Sequence, residues 1–163
     1  MSSRRLAILV GIAVVAGIGI AAYGFATRGS SKPAHRLQID EVNGRVGRIV
    51  LGESRENVIA VLGRPKPQPV PHSGLAYPHL FVGFRADHVV LVETDDPTAQ
   101  TEKVVSIGDP LSAARASYRK AAKCNPNSPD KTAKHPHCTV TVPAGALEIT
   151  GDPIGAMTLT AKG

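Results

Sequence analysis

The spacing of apolar positions in residues 48–65 predicts a short strand, a glycine turn and a helix. Ser54 is the predicted N-cap of this helix, because its side chain can accept a hydrogen bond from the first turn. Gly63 suits a left-handed C-cap, and Pro65 blocks continuation of the helix. The predicted buried stripe consists of Val58, Ile59, Val61 and Leu62.

Two further stretches alternate in the manner of β-hairpins. Residues 79–94 predict one strand over 80–84, a turn at 85–87 and a returning strand over 89–92. Near the C-terminus, residues 146–150 and 156–160 predict a second hairpin, divided by Gly-Asp-Pro. Both hairpins are apolar enough that one face must be covered by other elements.

A second helix is predicted just before the second hairpin. Asp109 suits its N-cap and Pro110 its first helical position, after an extended segment over 104–107. The predicted stripe is Leu111, Ala114, Tyr118 and Ala121. At an offset of 56 residues, the order of extended entry, helix, loop and two strands therefore occurs twice, in repeats of about 39–103 and 104–163.

This order predicts one α+β domain over residues 39–163. Two degenerate helix-plus-β-hairpin repeats share an antiparallel sheet, and their helices pack on one face of it. The repeat motif is clearest in the first half, where it consists of Ile49, Leu51, Gly52, Ser54, Val58, Leu62, Gly63 and Pro65.

That motif resembles the BamE/SmpA-like outer-membrane lipoprotein domain and the related tandem repeats of the β-lactamase-inhibitor protein. The chain is also similar to single-pass or secreted actinobacterial proteins built from two such halves. The resemblance covers about residues 39–160. It implies a scaffold that binds proteins or surfaces, and it supplies no catalytic residues.

The N-terminus has a different pattern. Residues 1–5 include Arg4 and Arg5, and residues 6–26 carry no charge, so a helix there would span roughly 30 Å of hydrocarbon. The positive-inside rule then places the N-terminus in the cytoplasm and the remainder outside the cell membrane. The alternative is a signal peptide that is cleaved to release a secreted protein. Residues 27–38 are polar and predict a linker.

Composition argues against nucleic acid as a partner. Residues 27–163 hold all thirteen acids and seventeen of the nineteen Lys and Arg residues, so their net charge is +4. These charges are scattered, aromatic residues make up 4% of the chain, and tryptophan is absent. Stacking surfaces for single strands are therefore not expected. A basic surface near anionic lipid or wall polymer fits this composition better.

The two cysteines predict a disulfide. Cys124 and Cys138 both fall in the exported part, where an even pair is expected to oxidise. We expect the bond to tie the end of the second helix to a strand that begins at Cys138. The alternative is a metal site formed by Cys124, His135, His137 and Cys138, although their spacing matches no standard zinc pattern.

No motif points to an enzyme or to a cofactor. The chain has no G-x-S-x-G elbow, and no acid lies at a motif distance from His72, Ser73 or His79. A hydrolase assembled from separate loops is the least favoured alternative. The sequence predicts a membrane-anchored, non-catalytic extracytoplasmic module that binds an envelope protein or wall polymer; a metal-binding envelope protein is the alternative.

Overall fold

A seven-stranded antiparallel sheet forms the centre of the described structure, which is a computed structural model. It describes residues 36–65, 74–125 and 135–163. The predicted anchor at residues 6–26 lies outside these ranges. Within them, no helix has both the length and the apolar character needed to cross a membrane.

Short strands and two short helices make up the domain. The strands are β1 (Gln38–Asp40), β2 (Arg45–Val46), β3 (Ile49–Val50), β4 (Gly74–Tyr77), β5 (Leu80–Arg85), β6 (His88–Thr94), β7 (Gln100–Thr101), β8 (Ala122–Asn125), β9 (His137–Val142), β10 (Gly145–Gly151) and β11 (Ile154–Ala161). The helices are α1 (Arg55–Leu62) and α2 (Leu111–Tyr118), and a 3₁₀ turn (Arg119–Ala121) follows α2.

The large sheet joins two three-stranded meanders through their last strands. Its order is β4-β5-β6-β11-β10-β9-β8, so that β6 pairs with β11 and β8 extends one edge. The predicted hairpins over 79–94 and 146–160 are thus both present as β5–β6 and β10–β11. The prediction of the α+β fold class is confirmed.

One face of this sheet carries the core. The strand registers align buried residues across neighbouring strands, because side chains alternate between the two faces. One such row crosses β9, β10, β11, β6 and β5. It consists of Val140, Leu147, Leu159, Val92 and Val82, all at most 1% exposed.

A second sheet was not predicted. It has the order β3-β2-β1-β7, and its β1–β7 pair is parallel. Its strands have only two or three residues each, too few to show a period of two in the sequence. The extended segment expected over 104–107 forms no strand: Val104 ends a turn and has φ +62°, and Ser106 makes an isolated bridge opposite Gln100.

The two helices match their predicted positions with three corrections. Ser54 caps α1 by accepting a hydrogen bond from the Asn57 amide at 3.3 Å, as expected. Val61, however, is 38% exposed rather than buried. The N-cap of α2 is Pro110, while Asp109 instead accepts a bond from the Ser106 amide. Ala121 lies beyond the helix and is exposed.

Each half contains the same pair of backbone hydrogen bonds between the entry to its helix and its hairpin. Gly52 donates to the Val89 carbonyl while Val89 donates to the Glu53 carbonyl, both at 2.8 Å. In the second half, Gly108 donates to Ile154 and Ile154 donates to Asp109, again at 2.8 Å. We call each pair of bonds a clamp.

The residues around the clamps correspond at the same offset of 56. Ile49 and Val105 are both fully buried, as are Val58 and Ala114. The clamp glycines both have positive φ, +85° at Gly52 and +91° at Gly108. These two glycines therefore adopt a backbone conformation that other residues enter only with strain.

Candidate functional site

A groove of about 390 Å³ lies where the end of β1 meets the end of α2. The 102–103 segment after β7 and the turn after β9 form its other walls. Its lining combines a buried acid, exposed cations and apolar side chains. The lining residues are Glu41, Val42, Glu102, Lys103, Ser117, Tyr118, Arg119, Ala121, Val140, Thr141, Val142 and Pro143.

A buried acid–phenol pair forms the floor of this groove. Glu41 follows β1 and is only 5% exposed, and Tyr118 occupies the last turn of α2 on its buried face. The Tyr118 hydroxyl donates a short hydrogen bond to Glu41 Oε1. Because the pair joins residues next to the small sheet and on α2, it fixes one wall of the groove against the other.

Burial changes the acid–base behaviour of both groups. Desolvation raises the pKa of Glu41 above its usual range, and the hydrogen bond from Tyr118 opposes this only in part. Burial also raises the pKa of Tyr118, and its bond to Glu41 adds to that effect. The tyrosine therefore stays protonated and can always donate.

The neighbouring acid behaves in the opposite way. Asp40 accepts hydrogen bonds from the Asn43 side chain at 2.8 Å and the Asn43 amide at 2.9 Å. These bonds lower the pKa of Asp40 to about 2, with Arg45 contributing a weaker bond at 3.3 Å. Asp40 and Glu41 are adjacent at the end of β1, yet the Asp40 carboxylate lies among polar groups and the Glu41 carboxyl group is buried.

Two strained residues lie at or beside the mouth of the groove. Arg119, directly after α2, has φ +46°, and Val104, next to Lys103, has φ +62°. A positive φ is unusual for any residue other than glycine and is a true outlier for a β-branched one. Such strain persists only where surrounding contacts hold it. His79, Ala86 and Asp87, all outside the groove, also have positive φ, so the strain does not by itself mark this site.

The disulfide joins two paired strands. Cys124 in β8 lies directly opposite Cys138 in β9, and the two Cα atoms are 3.9 Å apart. The predicted pairing is present, but the expectation that Cys124 ends the second helix is wrong. The chain leaves α2 through the 3₁₀ turn and has already entered β8 at Ala122.

The alternative metal set does not form in this structure. Cys124 and Cys138 are bonded to each other, and a disulfide offers no thiolate to a metal. His135 is exposed, and His137 in β9 approaches only the His135 carbonyl, at 3.4 Å. Within the described ranges, no group of three or more His, Cys, Asp or Glu side chains could hold a metal ion.

The predicted motif residues serve the frame of the first half. Ile49 and Val58 are buried, while Leu51 and Leu62 pack against the core from half-buried positions. The other members shape the backbone: Gly52 and Gly63 have positive φ, Ser54 caps α1, and Pro65 follows the helix end. None of the eight motif residues lines the groove.

A smaller cleft of about 180 Å³ lies at the turn between β4 and β5. There His79 Nδ1 lies 2.9 Å from Asp95 Oδ1, with both side chains more than half exposed. An exposed pair of this kind contributes little to stability and is screened by salt. We therefore regard the 390 Å³ groove as the stronger candidate.

Comparison with known proteins gives structural neighbours only. No protein-family model matches the sequence, and no curated protein matches it. The fold is similar to that of the DUF4309 family protein YjgB from Bacillus subtilis, with a TM-score of 0.55 and 12% identity over 75% of this chain and 90% of that one.

A second similar structure is an extracellular protein containing a SCP domain from Bacillus anthracis, with a TM-score of 0.51 and 14% identity. The likeness covers 68% of this chain but only 44% of that protein. At such identities, what is shared is the fold.

Proposed function

We propose that this chain is an extracytoplasmic binding module whose binding surface is the groove above Glu41 and Tyr118. The proposal rests on one observation: a groove with charged residues at its rim has the buried, hydrogen-bonded pair Glu41 and Tyr118 at its floor. Exposed Lys103 and Arg119 on that rim offer charge for recognition. The role is binding rather than catalysis, and the partner is an envelope component.

The placement outside the cytoplasm has two supports. A disulfide between paired strands is typical of proteins that fold in oxidising compartments. One structural neighbour is itself described as an extracellular protein. We further propose that residues 6–26 remain as a membrane anchor, which mass spectrometry of the membrane-extracted protein tests. A mature N-terminus near Thr27, with the protein free in the medium, would replace the anchor by a cleaved signal peptide.

We also propose that the two halves are copies of one unit, as the resemblance to BamE/SmpA-like repeats implies. The matching clamps at Gly52 and Gly108 support this, as do the buried residues at the same offset, Ile49 with Val105 and Val58 with Ala114. In such a unit the shared residues hold the frame, and the residues that differ are available for binding.

Site-specific photo-crosslinking in intact cells tests the binding surface. A photoreactive amino acid replaces Ser117, an exposed residue of the groove wall. The matched control carries it at Val61, the exposed position of α1 that corresponds to Ser117 at the offset of 56. We expect a discrete crosslinked product from Ser117 and none from Val61.

Thr141, exposed on the opposite groove wall, provides a second probe position. The same product should form from both groove positions, because the walls face one ligand. Equal crosslinking from Val61, or neither a protein nor a lipid product from either groove position, would contradict a binding role for the groove.

A further inference from the structure

The two most exposed large apolar side chains of the described domain lie at the same end of the small sheet. Val42 is 57% exposed and Val104 is 67% exposed. Strands β1 and β7 run parallel, with Ile39 opposite Thr101, so the residues that follow each strand emerge side by side. Val42 lines the groove, and Val104 follows Lys103, which lines it too.

Hydrogen bonds hold Val104 in its exposed position. The Val104 amide donates to the Thr101 carbonyl at 3.0 Å, and the Thr101 amide donates to the Val105 carbonyl at 2.9 Å. Thr101 Oγ1 also accepts from the Val105 amide at 3.2 Å. Because Thr101 and Val105 are buried, this turn is anchored at both ends and presents residues 102–104 to solvent.

Neither packing nor local preference accounts for a valine at this position. Its side chain is mostly in water, and its φ of +62° is unfavourable for a β-branched residue. Glycine or asparagine would suit the same turn without strain. An exposed valine on a turn that is anchored at both ends is instead suited to insert into an apolar environment outside the protein.

Two of the three exposed charged residues that line the groove are cations. These are Lys103 and Arg119, and neither belongs to the ion pairs found in the described ranges. The acids of this region are less available. Glu102 is exposed beside Lys103, Glu41 is buried against Tyr118, and Asp40 is engaged by Asn43 and Arg45.

We propose that Val42, Lys103 and Val104, together called the valine tip, dock onto an anionic lipid bilayer, with the valines entering the interface and the cations facing lipid headgroups. This rests on the proposed binding function and names the envelope component. Apolar contact combined with basic charge is the pattern of interfacial membrane attachment. A protein partner at the same tip is the competing outcome.

The length of the connection to the predicted anchor permits this contact. Residues 27–35 lie between that anchor and Arg36, the first described residue. Nine extended residues reach about 30 Å. Arg36 precedes β1, and its guanidinium donates to Gln100 in β7, so the chain enters the domain at the same strand pair, at the end opposite the valine tip. Because β1 has only three residues, that reach exceeds the length of the pair.

Tryptophan fluorescence tests the proposal in the full chain, which has no native tryptophan. Val104→Trp and Val42→Trp each introduce one reporter, so the second serves if the first fails to fold. Val61→Trp, on α1, is the matched control. Each protein is reconstituted into vesicles of phosphatidylcholine alone or of phosphatidylcholine with phosphatidylglycerol, each with and without brominated acyl chains, which quench tryptophan in the bilayer.

We expect quenching at both tip positions to be at least about threefold stronger in the phosphatidylglycerol vesicles, because basic residues drive the contact. The pair of changes Lys103→Glu and Arg119→Glu should abolish that difference. Quenching no stronger than at Val61→Trp, or equal in the two lipid mixtures, overturns the proposal.

The two proposals fail separately. A protein crosslinked from Ser117, together with unquenched tip tryptophans, keeps the binding module and refutes membrane docking. Quenched tryptophans without any protein crosslink support the membrane as the partner of this surface.

Discussion

The two halves of the domain have the same frame but different helix ends. In each half a glycine with positive φ opens the clamp, a buried residue of the helix meets the core, and a hairpin supplies the partner strand. At the helix ends, Leu62 and Gly63 of the first half correspond to Tyr118 and Arg119 of the second. The groove forms at the second pair.

This difference separates the residues that hold the frame from those that line the groove, which we propose as the binding surface. The clamp is made by backbone groups, and it is present in both halves although most of the side chains around it differ. Tyr118 occupies the position that Leu62 has in the first half. Its hydroxyl gives the buried Glu41 a hydrogen-bond donor, which a leucine could not supply. Replacing glycine by arginine places a cation at the same mouth.

The largest effect should come from the cross-strand bond of the second half. We expect Cys124→Ala together with Cys138→Ala to lower the free energy of unfolding by about 3 kcal/mol, since the bond closes a loop with a sequence separation of 14. Urea unfolding measures this. Hydrogen exchange should accelerate in β8 and β9 while β4 and β5 stay protected, and equal acceleration in both halves would contradict this local effect.

The buried pair should have the next largest effect. Tyr118→Phe leaves Glu41 without its donor, and a buried unsatisfied carboxyl costs about 1–3 kcal/mol. Tyr77→Phe is the matched control from the first half, where the hydroxyl donates to the Gly63 carbonyl at 2.9 Å in an exposed position. It should cost less than about 0.5 kcal/mol, because water replaces the lost partner. Similar losses for the two variants would refute the distinction.

Alanine substitution of the clamp glycine should lower the free energy of unfolding by a similar amount in each half. Gly52→Ala and Gly108→Ala each place a side chain at positive φ where no atom lies within 4 Å of the new Cβ, so strain is the main cost. We expect about 1–2 kcal/mol for each, as measured by chemical unfolding.

Gly155→Ala provides the control for the clamp variants, because its backbone has no positive φ and its nearest contact is at 4.0 Å. It should be nearly neutral. Tolerance of alanine at only one clamp would argue against a common frame.

The sequence predicted the frame far better than the groove. Short stretches of sequence are enough to predict Ser54, Gly63 and the two hairpins, because capping residues and the alternation of apolar with polar positions are local patterns. The groove depends on a contact between Glu41 and Tyr118 across 77 positions, for which a single sequence carries no local signal. Tyr118 was correctly expected in the core, but its hydroxyl partner could not be inferred.

Short elements account for most of the remaining differences. The sequence does not distinguish strand β8 from the end of a helix, because its four residues follow α2 with only a 3₁₀ turn between. The parallel β1–β7 pair joins segments far apart in the chain, each of at most three residues. Such pairs form because the flanking larger elements bring them together.

The smallest effect should be the pH dependence that distinguishes Asp40 from Glu41. The pKa of Asp40 falls from 3.8 to about 2 on folding, so its contribution is present above pH 3.8 and is lost as pH falls towards 2. The pKa of Glu41 rises above 4.5, so its contribution is complete below pH 4.5 and is lost as pH rises through the higher folded value. Urea unfolding between pH 2 and 7 should therefore show Glu41→Gln flattening only the limb above pH 4.5, while Asp40→Asn flattens only the limb below 3.8. An upper limb that survives in Glu41→Gln would show that Glu41 is ionised in the fold without cost, and that the floor of the groove is wetter than its 5% exposure indicates.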